Sequence, residues 1–240
     1  MSDFIQKGIR INKYIADAGI CSRREADVLI SKGSVCIDGK TAHNGDRVFS
    51  DSEVTIDGKD ITLPDTKVYL AYNKPVGVVC TGEKREKNNI IDAVRYPVRI
   101  TYAGRLDKSS EGLIILTNDG DLIDALMRSV NEHEKEYVVT VDRPVTADFI
   151  KSMRQGVFLS ELSVTTKPCK VRKTGEKTFE IILTQGLNRQ IRRMCETLGY
   201  RVRSLKRIRI SNIELKGLKT GQYREIKGDE LNKLLKDSGL

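Results

Sequence analysis

No run of apolar residues in this 240-residue chain approaches the roughly 20 needed to cross a bilayer. The opening "MSDFIQKGIRINKY" also lacks the long apolar core of a signal peptide. The five cysteines (Cys21, Cys36, Cys80, Cys169, Cys195) are odd in number, scattered and never spaced C-x-x-C, which argues against a disulfide framework or a zinc site and for reduced thiols. A cytoplasmic location is therefore expected. Histidine is scarcer still. His43 and His133 lie far apart, and "HEKEY" is not H-E-x-x-H because position 137 is tyrosine. No metal is expected, and no local setting for a serine or cysteine nucleophile is visible. Gly39-Lys40-Thr41 imitates the end of a phosphate-binding loop, but the upstream Gly33 is one residue too far away. No nucleotide cofactor is expected, nor any other. Internal repeats and low-complexity tracts are absent, and no obvious apolar stripe asks for a second copy, so a monomer is expected.

What the chain has is positive charge in one place. The net charge is +9, and residues 185–210, "QGLNRQIRRMCETLGYRVRSLKRIRI", carry eight basic residues against one acidic residue, Glu196. A solvated helix face normally mixes signs, so this bias points to a polyanionic partner, nucleic acid above all.

The coarse pattern is that of two domains. "INKYIADAG" places Ile11, Ile15 and Ala18 on one helical face, with Gly19 as a stop. In "SRREADVLISKG", Ser22 and Glu25 predict a capping box, Val28 and Leu29 are apolar, and Gly33 ends the helix. Asp38-Gly39 and Asp57-Gly58 predict tight hairpins. Pro64 and Asp65 mark a linker, giving a module over 1–63, a linker over 64–67 and a second domain over 68–240. In that domain "VYLAYN", "GVVC", "LIILT", "EYVVTV" and "FEIILT" read as strands, with helices over 121–128, 147–154 and 189–198. The fold class expected is α+β: a small α+β module, then a mixed, mostly antiparallel sheet flanked by helices.

With metals and histidine nucleophiles set aside, carboxylates remain. In "GRLDKSSEGL", Asp107 lies between Arg105 and Lys108. Asp107 and Glu111 would form a carboxylate pair only on a helix, and Gly104, Gly112 and the strand-like "LIILT" argue against one. A lone aspartate among cations is expected to stay ionised, which suits a nucleophile or base. The plainer alternative is a turn-capping residue with a surface ion pair to Arg105.

"YNKPVGVVCT", "GRLDKSSEGLIILTNDGDL", "HEKEYVVTV" and "QGLNRQIRRMCETLGYRVRSLKRIRI" resemble, in order and spacing, the motifs of RNA pseudouridine synthases of the RsuA type. The wording of "GICSRREAD" and "HEKEYVVTV" is most similar to the subtype F that modifies large-subunit rRNA, and the first sixty residues resemble an S4 RNA-binding module. The resemblance runs from about Ile9 to Leu235 and implies isomerisation of a uridine in ribosomal RNA to pseudouridine, with no cofactor. The RNA partner would be free rRNA or rRNA in an assembling large subunit. It further implies Asp107 as the catalytic aspartate, Arg192 as its bidentate cationic partner and Tyr137 stacking on a flipped base. Tyr137 also reads as a plain core strand residue. By the same resemblance Arg105 enters the gap left by the base, and Leu205 forms an apolar wall. Lys108, Arg189, Arg193, Arg203 and Arg207 are candidate phosphate contacts. The first 63 residues are nearly neutral, nine basic against ten acidic, so any RNA face there is local: Lys13, Arg23, Arg24 and Lys32. Alternatives are the same chemistry on tRNA or small-subunit rRNA, and a non-catalytic RNA-binding assembly factor.

Overall fold

The computed structural model describes residues 8–83, 85–128 and 132–240. They divide into two compact units, one of residues up to 67 together with 97–100, the other of 68–96 and 101–240. The tetrapeptide 97–100, "PVRI", counts with the first unit, which a linear boundary in the sequence does not anticipate.

The first unit begins β1 (Ile9–Arg10), α1 (Ile11–Asp17), α2 (Arg23–Ser31). It continues β2 (Val35–Ile37), β3 (Lys40–Thr41), β4 (Arg47–Val48), β5 (Val54–Ile56) and β6 (Lys59–Asp60). Ile11, Ile15, Ile30, Val35, Val48 and Val54 close its core, each buried side chain of this kind contributing about 1.5–3 kcal/mol over exposure. The capping box at the head of α2 is present: Ser22 Oγ accepts from the Glu25 amide, and the Ser22 amide donates to the Glu25 carboxylate. Asp38 (φ 50°) and Gly39 (φ 75°) both take the left-handed conformation that a two-residue hairpin between β2 and β3 requires. A hairpin, not a phosphate loop, thus explains "GKT". Val28 is 52% exposed, on the outer face of α2.

The second unit opens with β7 (Tyr69–Lys74), α3 (Ile90–Val94), β8 (Thr101–Ala103), β9 (Glu111–Thr117) and α4 (Gly120–Met127). Then come β10 (Lys135–Val141), α5 (Ala147–Gln155), β11 (Phe158–Leu159), β12 (Val164–Thr165), β13 (Lys170–Lys173) and β14 (Thr178–Leu183). It closes with α6 (Gln190–Thr197), β15 (Val202–Ile210), β16 (Ile213–Glu214), β17 (Tyr223–Glu225) and α7 (Gly228–Asp237). Its main sheet has nine strands in the order β13-β14-β10-β15-β9-β7-β17, with β16 on β15 and β8 on β9. Only β15 and β9 run parallel; every other pair is antiparallel. The expected mixed, mostly antiparallel α+β fold is what forms.

Two cores flank this parallel seam. Val139, Phe179, Ile181 and Leu205 from β10, β14 and β15 pack with Phe149 and Met153 of α5 and Ile191 and Met194 of α6. On the other side Ala71, Leu113 and Ile115 of β7 and β9 pack with Leu122 and Leu126 of α4 and Leu234 of α7. The turn at 118–120 leads into α4 as its residues suggest: Asp119 caps the helix, accepting from the Asp121 and Leu122 amides, and takes the Tyr69 hydroxyl hydrogen bond at 2.8 Å. "GVVC" is not a strand; it makes a single bridge, Val79 to Asn89. The loop 81–89 carries no regular element among its described residues, and Lys84 within it lies outside them.

Candidate active site

The seam brings three distant stretches of sequence into one row. Tyr137 on β10 stands opposite Arg207 on β15, and Arg207 stands opposite Gly112 on β9. The loop that carries Asp107 enters β9 at this point. Gly112 is essential to the row: it has φ 106°, and a Cβ there would lie 2.2 Å from the Arg207 carbonyl oxygen. Only glycine lets the two backbones approach so closely.

The Asp107 loop is held from several sides. The Ser110 amide donates to the Asp107 carbonyl at 3.0 Å, closing a turn, and the Gly77 amide donates to the Lys108 carbonyl at 2.7 Å. Arg192, 8% exposed on α6, donates through Nη2 to the Ser109 carbonyl at 2.9 Å and to Ser110 Oγ at 3.1 Å. Its Nε lies 4.0 Å from Asp107 Oδ2 and makes no hydrogen bond. The bidentate pairing expected of Arg192 is therefore corrected. Its fork braces the backbone beside Asp107 and leaves the carboxylate, whose side chain is 33% exposed, facing the cavity. Burial, and secondarily the charge of Arg189, push the Arg192 guanidinium below its ordinary value, with Asp107 opposing.

A cavity of about 460 Å³ opens here, lined by Asp107, Tyr137, Leu205 and Arg207, with Arg105, Lys108 and Arg189 also on its surface. The last three are exposed. Leu205 is an apolar wall continuous with the α5–α6 core. Arg207 is a second correction. It is 2% exposed, with Nε donating to the Leu113 carbonyl at 2.6 Å, so it forms the cavity wall and is no surface phosphate contact. Strand alternation aims Leu205 and Arg207 into the cavity and Lys206 and Ile208 at the opposite face, where a second cavity lies. Arg203 is exposed and Arg193 half-buried, and neither lines this cavity. Arg193 is engaged with Glu161 and with the Asn188 carbonyl. In the first unit Arg23, Arg24 and Lys32 are exposed, whereas Lys13 is paired with Asp17 at 2.7 Å.

Three buried or half-buried polar residues here carry no signal in a single sequence: Ser110, Lys74 and Lys135. Lys74 is fully buried, donating to the Pro75 and Val78 carbonyls. Burial pushes its ammonium below the ordinary value, partly offset by Cys80, Asp107 and Glu111. Lys135 lines the cavity, and burial, then the charge of Arg207, lower it to about 8. Among the described residues no cluster of three or more metal-ligating side chains occurs, and no helix is long and apolar enough to cross a membrane. One carboxylate, an aromatic ring and several cations around a nucleoside-sized space suit chemistry on an anionic, aromatic substrate.

Comparison with known proteins agrees with that chemistry. The RNA pseudouridylate synthase family matches residues 68–197, and the S4 domain family matches 9–49. The dual-specificity RNA pseudouridine synthase RluF of Salmonella typhi is 51% identical over 229 residues, covering 95% of this chain and 78% of that protein. Ribosomal large subunit pseudouridine synthase B of Bacillus subtilis (strain 168) is 32% identical over 232 residues, covering 94% and 95%. A crystal structure of a pseudouridylate synthase superposes with a TM-score of 0.71 at 28% identity, covering 95% of this chain and all of that one.

Proposed function

The chain belongs to the RsuA-type RNA pseudouridine synthases that carry an S4 domain, and from that premise we propose that Asp107 performs its chemistry on a uridine of large-subunit ribosomal RNA. The protein is an enzyme acting on RNA. The observation that carries the site assignment is the position of Asp107: the carboxylate facing a cavity whose other walls are Tyr137, Leu205 and cations.

A uridine within folded RNA must leave its stack to enter, at a cost of a few kcal/mol. Arg105, exposed at the rim, takes the space left behind, while Lys108 and Arg189 hold neighbouring phosphates. Tyr137 stacks on the uracil and Leu205 packs its edge. Asp107 attacks C1′ to form an ester or removes the C2′ proton, and the C1′–N1 bond breaks with its electron pair on the base. The base turns and C5 bonds to C1′ as the Asp107 carboxylate is displaced or returns its proton to C2′, and the C5 proton departs with help from the Tyr137 hydroxyl. One proton moves from C5 to N1 and no co-reactant is needed. Arg192 keeps the Asp107 loop in register through Ser109 and Ser110.

A second substrate class has support in the name of the relative called dual-specificity, so tRNA is the second reading. The test is Asp107→Asn incubated with unmodified rRNA and with tRNA, followed by mapping of pseudouridine. The variant should fold, bind RNA and form no pseudouridine in either. Retained isomerisation would overturn the assignment.

A further inference from the structure

The cations of the catalytic cavity fall into two groups. Arg105, Lys108 and Arg189 are exposed at its rim, where backbone phosphates would lie. Lys135 and Arg207 lie deeper, on the neighbouring strands β10 and β15, and no carboxylate comes within 4.0 Å of either among the described residues. Lys135 Nζ donates to the His133 carbonyl at 3.1 Å, its one hydrogen bond among the described residues. Arg207 donates Nε to the Leu113 carbonyl, and its Nη2 is buried with no partner. A half-buried ammonium and a buried guanidinium on adjacent strands, with no carboxylate within 4.0 Å of either among the described residues, destabilise the fold. A protein retains such a pair where an anion forms during its reaction.

We propose that Lys135, backed by Arg207, binds the uracil as it departs from the sugar, stabilising the negative charge that develops on the ring oxygens. The proposal rests on the assignment of Asp107 above. When the C1′–N1 bond breaks, its electron pair stays on N1 and spreads onto O2 and O4, so the base is an anion for as long as it is free. Lys135 is two residues before Tyr137 on the same face of β10, which puts its ammonium beside the edge of a ring stacked on that tyrosine. Its four-carbon stem lets the ammonium follow the oxygens as the base turns, while Arg207, fixed by Leu113, supplies constant field from the wall. C5 then attacks C1′, the charge is consumed in the new bond, and the proton released from C5 balances the one gained at N1. Lys135 remains an ammonium throughout.

The test compares Lys135→Met and Lys135→Arg with the native enzyme on the same rRNA fragment. Single-turnover pseudouridine formation and RNA affinity are measured separately. Lys135→Met should slow the chemical step by on the order of 100-fold, the effect of removing one donor from an anion-stabilising site, with RNA affinity within about threefold. Lys135→Arg should recover part of the rate. Barbituric acid, a uracil ionised at neutral pH, should inhibit the native enzyme more strongly than uracil does, and Lys135→Met should lose that preference. A rate within threefold of native for a folded Lys135→Met overturns the proposal. So does a loss of RNA affinity that accounts for the whole rate loss, since that is a phosphate contact. The barbiturate preference should persist in Asp107→Asn. An inactive Asp107→Asn beside a fully active Lys135→Met defeats this inference alone, whereas an active Asp107→Asn defeats the assignment beneath it.

Discussion

Replacing Gly112 by alanine should cost far more than a single methyl group suggests. The added Cβ would meet the backbone of Arg207 at 2.2 Å from its oxygen and 2.7 Å from its nitrogen. Neither atom belongs to a side chain that can rotate away, so the strands themselves must part, by about 1 Å, to restore ordinary contact. They pair in parallel at Lys206 opposite Glu111 and Arg207 opposite Gly112, so a small separation breaks much of the register. The backbone conformation, φ 106°, adds about 1–3 kcal/mol of strain for a residue with a side chain. Each hydrogen bond lost across the seam adds about 1 kcal/mol net. The expected loss is about 3–5 kcal/mol, a large share of the roughly 5–15 kcal/mol that holds a domain together. Urea denaturation followed by circular dichroism measures it. Gly39→Ala is the control, because Gly39 also has positive φ (75°) but nothing within 4 Å of its Cβ position, so only about 1–2 kcal/mol is expected there. If Gly112→Ala costs no more than Gly39→Ala and turnover is unchanged, the close approach of these backbones does not hold the site together.

Lys135 makes a pH-dependent contribution whose sign is fixed. Its ammonium titrates at about 8 in the folded protein against 10.5 unfolded, so the unfolded chain binds more protons between those values and stability rises with pH across them. The penalty is complete below about 8, at most about 3 kcal/mol, and gone above 10.5. Unfolding free energies of native and Lys135→Met should therefore differ most at pH 7, the variant being the more stable, and converge towards pH 10.5; parallel curves would refute this. Ser22→Ala removes half of the capping box on α2 and should cost about 1 kcal/mol in the first unit, visible as faster exchange of the Glu25 amide. An unchanged exchange rate would show that the helix does not depend on its cap. Burial lifts the Cys195 thiol to about 12 and the Cys169 thiol to about 11, so both should resist alkylation at pH 8 until the protein is unfolded.

Local chemistry made much of the fold legible. The Ser22–Glu25 cap and the two Asp-Gly hairpins need only their own few residues to form, and they stand where their sequences put them. β7, β9, β10 and β14 show themselves as compact apolar runs. β15 does not, because it presents Arg207 with Leu205 on one face and Lys206 with Ile208 on the other, so charge and apolarity do not alternate. Yet this strand completes the cavity. Arg203 and Arg207 are chemically identical and four residues apart, one exposed and one 2% exposed; only the partner strand decides which is which. Lys135 is illegible for the same reason. Its burial comes from the cavity wall around it, and its unusual titration from that burial first and then from an arginine on the adjacent strand.

The parallel seam also sets when the Asp107 cavity can first exist during synthesis. Arg207 donates to the carbonyl of Leu113, 94 residues earlier, and Arg192 reaches back 83 residues to Ser109. A nascent chain can build β7, β9 and the hairpin-like pairs of β10 and β14 as it emerges. Until β15 is available, the Asp107 loop has no Arg207 beside it and β9 lacks its parallel neighbour. Closing so long a loop in one step is slow compared with local pairing. The cavity is therefore incomplete until the last long strand of the sheet slots between two that precede it in the chain.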